Sequence, residues 1–203
     1  MPAQIYLASR SPRRAEFLAQ LGVRYAVLLA DVPEQPVPGQ SPLAYALATA
    51  IAKAQAAAAL APRPLPVLGA DTDVSIDGVI LGKPQNRDEA LAMLLRLSER
   101  THEVCSAVAV IHGERIETVT TMTRVRFGLI PPVQAAAYCA GGEPLDKAGA
   151  YAIQGGAARW VRSIDGSYTG VVGLPLYETA ELLERFGIVA VAPRASRLPP
   201  HEK

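Results

Sequence analysis

The sequence predicts a mixed α/β fold, on three observations. Short apolar runs of strand length lead into segments with apolar residues at helical spacing, as residues 4–9 lead into 11–22. Two hairpin signatures, around Asp77-Gly78 and around His112-Gly113-Glu114, call for antiparallel neighbours. The chain has 203 residues with no internal repeat and no long linker, enough for one domain with a full core. Strand–helix units combined with hairpins imply a mixed sheet.

The elements follow in order. Residues 4–9 carry the run IYLA and read as a buried strand. Ser11-Pro12 supplies an N-cap and a proline at the first helical position. Ala15, Phe17, Leu18 and Leu21 then recur at helical spacing until Gly22 closes the helix. Residues 33–42 hold four prolines without periodicity and form a loop. Ser41-Pro42 repeats the cap signal and opens a helix to about residue 60. Residues 65–70 are another apolar run of strand length. Val74-Ser75-Ile76 and Val79-Ile80-Leu81 flank the Asp77-Gly78 turn, a type I′ signature. Asn86 and Glu89 resemble a partial capping box, and Leu91, Leu94, Leu95 and Leu97 carry that helix to about Ser98. Residues 103–111 and 115–127 are rich in Val, Ile and Thr and predict a long hairpin. A short helix over 133–140 stops at Gly141-Gly142. A strand over 159–164, a helix over 176–186 closed by Gly187, and a last strand over 188–191 complete a single domain spanning 1–192. Residues 193–203, with prolines and basic residues, read as a frayed tail.

Composition narrows the function. Half of the residues are apolar and 19% are charged, a globular balance. Lys and Arg total 20 against 19 Asp and Glu, a net charge of +1, which argues against a general nucleic-acid binder. Cys105 and Cys139 lie in unrelated segments, so neither a disulfide scaffold nor a structural zinc site is expected, and a reducing cytosol fits. Residues 43–61, the most apolar stretch, are largely alanine and contain Lys53 and Gln55, so no membrane span is expected. Arg10, Arg13 and Arg14 stand where a secretory leader would be apolar. His102, His112 and His201 stand apart and suggest no catalytic triad. No P-loop motif is present.

Four segments carry candidate chemistry. Ser9-Arg10-Ser11-Pro12-Arg13-Arg14 places two cations in a first helical turn, where they oppose the macrodipole. An anion held by free N–H groups, hydroxyls and guanidinium forks would explain them; so would solvation of an exposed helix. Gly69-Ala70-Asp71-Thr72-Asp73 puts a carboxylate where an apolar strand ends, as a metal ligand or general base does, or as a turn aspartate does. Lys83-Pro84 follows, with a lysine for phosphate oxygens or for solvent. Residues 141–156 are glycine-dense, and the Gln154 amide is suited to a base edge or to the surface. Residues 167–176 enter a helix at Pro175 and pack structurally or wall a cleft.

Together these segments resemble the Maf-type nucleoside triphosphate pyrophosphatases. The resemblance rests on LASRSPRRAEFLAQLG at 7–22, Lys53-Ala54, LGADT at 68–72 and LGKP at 81–84, continuing through GEPLDKAGAYAIQG at 142–155, GSY and VVGLPL at 166–176. It runs in order from about residue 4 to 187 and looks most like the branch acting on dTTP and UTP; a sister branch acts on N7-methyl-GTP. The resemblance implies an α/β fold of the inosine-triphosphatase-like type, with a mixed twisted sheet, flanking helices and two lobes around a central cleft. It implies hydrolysis of a nucleoside triphosphate to monophosphate and pyrophosphate with a divalent cation, Mg²⁺, Mn²⁺ or Co²⁺, in a cytoplasmic homodimer that binds neither nucleic acid nor membrane.

The family's functional positions fall here on Ser9, Arg13, Arg14, Glu34, Lys53, Asp71, Thr72, Lys83 and Gln154. The implied roles are Asp71 as proton acceptor, with Glu34, Lys53 and Lys83 catalytic, and Glu34 and Asp71 on the metal. Ser9, Arg13 and Arg14 would bind substrate, and Arg14, Thr72 and Gln154 would set specificity. Asp73 departs from the apolar residue usual after Asp-Thr. On an ideal strand it shares a face with Asp71, where it would crowd that carboxylate, join the metal shell or face solvent. Arg10 and residues 155–158 also depart. The alternative is the same chemistry on N7-methyl-GTP, or a non-catalytic nucleotide-binding regulator of cell division.

Overall fold

A computed structural model describes residues 2–35 and 39–190. The expected tail at 193–203, and residue 191 of the expected last strand, lie outside the described residues. The mixed α/β reading holds: one seven-stranded sheet has the order β2-β1-β3-β5-β6-β7, with β4 paired to β3. The strands are β1 (Ile5–Ala8), β2 (Tyr25–Val27), β3 (Val67–Ile76), β4 (Val79–Ile80), β5 (Thr101–His112), β6 (Arg115–Phe127) and β7 (Val161–Asp165). β1 runs parallel to both β2 and β3, and the other pairs are antiparallel. The helices are α1 (Pro12–Gln20), α2 (Pro42–Ala58), α3 (Arg87–Leu97), α4 (Pro132–Ala140), α5 (Tyr168–Val172) and α6 (Leu176–Arg185).

Local signals explain most boundaries. Ser41 caps α2 by accepting from Ala44 N at 3.3 Å, and Asn86 caps α3 by accepting from Glu89 N at 2.9 Å. The Asp77-Gly78 turn has φ of +54° and +74°, the double left-handed geometry of a type I′ turn. The β5–β6 loop is one residue tighter than the sequence suggests: His112 pairs with Arg115, leaving Gly113-Glu114 as the turn.

Two expectations change, and one strand stands where the sequence reading placed none. β3 does not end at Ala70 but continues through Asp71, Thr72 and Asp73 to Ile76, because each of those residues pairs with β5. Residues 188–190 form no strand; Ile188 N instead closes α6 by donating to Leu183 O at 3.0 Å. β2 has only three residues, too short for a periodic signal, and it docks on β1 through parallel pairing.

The core divides around the sheet. Leu68, Val108 and Val110 pack with Ile5, Leu7, Leu18, Leu182 and Leu183. Ala46, Ala50 and Ala54 of α2 pack on Cys105, Ala107 and Ala109. A third cluster joins Val74 and Ile76 to Leu94, Leu97, Phe127 and Trp160.

Candidate active site

The cleft opens where β3 loses a neighbour. β1 stops at Ala8, opposite Gly69, and β4 joins β3 only at Ser75. Along the edge between those two pairings lies a cavity of about 720 Å³. All nine site positions expected from the sequence line it: Ser9, Arg13, Arg14, Glu34, Lys53, Asp71, Thr72, Lys83 and Gln154.

Strand alternation deals the polar residues of β3 to two sides. Gly69, Asp71 and Asp73 face α2. A Cβ at Gly69 would lie 2.4 Å from Ala50 O and 2.7 Å from Ala54 N, so only glycine admits the helix this close. That approach delivers Lys53, next to Ala54, onto Asp71. Lys53 Nζ lies 2.6 Å from Asp71 Oδ1 and 2.6 Å from Glu34 Oε1. Lys83 Nζ stands 3.8 Å from the second Glu34 oxygen. Burial raises the Glu34 carboxyl, but the hydrogen bond and charge of Lys53 outweigh it and hold it below the usual range.

Asp73 does not face solvent: it is 7% exposed, and its Oδ2 is buried without a hydrogen-bond partner among the described residues. Burial, then the neighbouring Asp71 charge, push its carboxyl up to about 8. Tyr45, one wall of the same pocket, has its hydroxyl raised by burial and then by Asp73. Tyr45 went unassigned in the sequence. Its spacing with Thr49 and Lys53, four residues apart on an alanine-rich helix, is a polar stripe that would have found it.

Thr72 faces the other side. Arg14 donates from Nε to Gly173 O at 2.8 Å, from Nη1 to Ser9 Oγ at 3.1 Å and from Nη2 to Thr72 Oγ1 at 3.5 Å. Ser106, buried and silent in the sequence, lies 2.9 Å from Thr72 Oγ1 and donates to Gly170 O at 2.7 Å. Burial lowers the Arg14 pKa. The expected Ser11 side-chain cap is not made; Ser9 Oγ instead accepts Ser11 N at 3.2 Å, at the start of α1. Arg13 Nε is buried with no hydrogen-bond partner among the described residues. Arg10 pairs with Asp31 at 3.0 Å, both largely exposed. Asp146 and Lys147, not singled out from the sequence, pair with each other and line the same cavity.

Among the described residues no group of three or more His, Cys, Asp or Glu is gathered as a metal cage. The donor set still fits a hard divalent cation that keeps waters and shares substrate phosphates, because such a cation needs only one or two protein carboxylates. Glu34 and Asp71 converge on one ammonium, and Asp73 lines the same cavity. No helix among the described residues is long and apolar enough to cross a membrane.

Fold and cleft together define a mixed α/β protein whose cavity sets carboxylates and a lysine on one side of a strand and a half-buried arginine on the other. The sequence model of the family described as Maf-like protein matches residues 4–186, and the chain belongs to that family. A protein of Aromatoleum aromaticum named dTTP/UTP pyrophosphatase is 48% identical over 198 residues, covering 91% of this chain and 96% of its own length. One of Burkholderia pseudomallei with the same name is 52% identical over 191 residues, covering 88% and 91%. Among solved structures, a nucleoside-triphosphatase, dITP/XTP pyrophosphatase, of Mycobacterium abscessus is similar over 63% of this chain and 75% of its own, at 22% identity and a TM-score of 0.44.

Proposed function

We propose that the protein is a nucleoside triphosphate pyrophosphatase that hydrolyses dTTP and UTP to the monophosphate and pyrophosphate, removing aberrant nucleotides or limiting pyrimidine pools. The observation that carries this reading is the Lys53 ammonium held between Asp71 and Glu34 in a cleft that begins at the N-terminus of α1. The names of relatives near half identity support the substrate class.

Attack at the α-phosphorus forms a bond to the water oxygen and breaks the bond to the α–β bridging oxygen. Asp71 accepts the water proton and Lys53 orients that carboxylate. Charge develops on the departing pyrophosphate, where Arg13 and Lys83 offer donors, and Ser9 and the α1 N-terminus bind further oxygens. Arg14 is committed to Ser9, Thr72 and Gly173, so it fixes the shape of the wall that meets the substrate. Thr72 and Gln154 carry neutral donors and acceptors for the pyrimidine edge. A divalent cation, Mg²⁺, Mn²⁺ or Co²⁺, held by Glu34 and Asp71, would supply Lewis-acid stabilisation of phosphoryl oxygens. We read the enzyme as a cytoplasmic homodimer with no nucleic-acid or membrane partner, on its resemblance to the family.

Pyrophosphate release from a panel of UTP, dTTP, CTP, GTP, ATP and N7-methyl-GTP tests the assignment. Highest kcat/KM on UTP and dTTP is expected. A preference for N7-methyl-GTP would move the protein to the sister branch, and no turnover on any triphosphate would leave a binding protein.

A further inference from the structure

The segment that carries Gln154 is pinned on both sides of that residue. Tyr138, on α4, donates its hydroxyl to Glu143 Oε1 at 2.6 Å and accepts from Ala152 N at 3.2 Å. Gly156 N donates to the same carboxylate, 3.2 Å from Oε1 and 3.4 Å from Oε2. A tyrosine hydroxyl thus holds the chain two residues before Gln154 and a carboxylate holds it two residues after.

The packing leaves the carboxylate little freedom. A Cβ at Gly155 would sit 2.1 Å from Glu143 Oε1, so the glycine there is what lets the acid lie against the backbone. A Cβ at Gly156 would sit 3.1 Å from the Tyr138 ring, and that ring meets Trp160 edge-on at 5.3 Å. The hydrogen-bond polarity closes: the hydroxyl spends its proton on Glu143 and a lone pair on Ala152. Burial and then the Glu143 acceptor push the Tyr138 hydroxyl up, so it stays a donor. Glu143 is absent from the cavity lining, whereas Gln154 is part of it.

We propose that Glu143, acting through Tyr138 and the backbone of residues 152–156, is a positioning residue for pyrimidine selection: it fixes where the Gln154 amide stands in the cleft without touching the substrate. This rests on the reading that Gln154 meets the base. A shift of about 1 Å in such a group costs up to ~10²-fold, and losing one of two tethers is expected to cost about tenfold.

The test compares Glu143→Ala, Glu143→Gln, Tyr138→Phe and Gln154→Ala by kcat and KM on UTP and GTP with Mg²⁺. Glu143→Ala should lower the UTP-to-GTP ratio of kcat/KM about tenfold, mostly through KM for UTP, while kcat on GTP stays within about twofold. Glu143→Gln keeps an acceptor for Gly156 N and Tyr138 and should recover most of the ratio. Tyr138→Phe keeps the ring against Trp160 and should shift the ratio in the same direction. It carries the test if Glu143→Ala does not fold. Adding Glu143→Ala to Gln154→Ala should change the ratio no further, since both act through one amide. If Gln154→Ala lowers the ratio and neither Glu143→Ala nor Tyr138→Phe does, the positioning role is overturned. An unchanged ratio in Gln154→Ala overturns the base-reading role, and with it this one. An equal fall on UTP and GTP, unrescued by Glu143→Gln, would make Glu143 a structural residue only.

Discussion

Lys53 sits between two carboxylates, and the chemistry assigned to Asp71 depends on that bridge. An ammonium 2.6 Å from Asp71 Oδ1 and 2.6 Å from Glu34 Oε1 draws an oxygen of each to one locus. A third carboxyl, Asp73, is buried beside them with a free Oδ2. Replacing Asp71 with Asn keeps the shape and a hydrogen-bond acceptor for Lys53 but removes the charge and the basicity. Asp71→Asn is therefore expected to reduce kcat on UTP by ~10²–10⁴-fold, while the nucleotide still binds. Steady-state kinetics together with calorimetric titration of a non-hydrolysable UTP analogue check both halves. Retention of more than about a tenth of kcat would remove Asp71 from the role of base.

At the scale of elements, the site depends on how closely α2 rides on β3. Ala46, Ala50, Ala54 and Ala57 give the helix a flat inner face, and Gly69 gives the strand a matching gap. Gly69→Ala would drive a methyl into the Ala50 carbonyl and the Ala54 amide, both backbone atoms that cannot rotate away. Overpacking of this kind costs about 1–3 kcal/mol, and the backbone contact puts it near about 3. At roughly 2–4 °C per kcal/mol for a chain of this size, Tm should fall by about 6–12 °C. Activity should fall with it, because Lys53 withdraws from Asp71. An unchanged Tm in differential scanning calorimetry would contradict the close approach.

The same elements show what the sequence made legible. The helices entered at Ser41-Pro42 and at Asn86 stood out because capping is local, and Asp77-Gly78 marked its hairpin because that turn needs two positive φ values. The continuity of β3 was hidden: Asp71-Thr72-Asp73 is polar, and only pairing with Ala107, Ser106 and Cys105 makes it a strand. α5 and β2 are too short for a periodic signal. Asp71, Lys53 and Gln154 were visible through motifs. Ser106, Tyr138 and Glu143 act through partners 34, 14 and 13 residues away, a separation that no window of sequence displays.

At the scale of the whole molecule, stability carries a pH signature from a residue outside the cleft lining. His102 on β5 is 1% exposed; its Nε2 lies 2.8 Å from the Tyr151 hydroxyl, and its Nδ1 is buried without a hydrogen-bond partner among the described residues. Phe127 and Tyr151 meet its ring edge-on, at 4.9 and 5.3 Å. Burial lowers its pKa from 6.5 to about 4. The unfolded chain therefore binds the proton more readily, so this stability is present above pH 6.5 and drains away as pH falls toward 4. A shift of that size corresponds to about 3 kcal/mol. His102→Gln cannot titrate, so between pH 7 and 4 the wild type should lose up to about 3 kcal/mol more than the variant in urea unfolding. Parallel pH profiles would contradict the buried neutral imidazole.

β1 stops short and β3 runs on, so the opening is lined by Asp71 and Lys53, which in the proposed reaction meet the α-phosphate of a pyrimidine triphosphate. Hydrolysis of UTP in water enriched in oxygen-18, with the products resolved by mass spectrometry, reads which phosphorus the water attacks. The account predicts one labelled oxygen in UMP and none in the pyrophosphate. Label in the pyrophosphate, or labelled orthophosphate released with UDP, would contradict it.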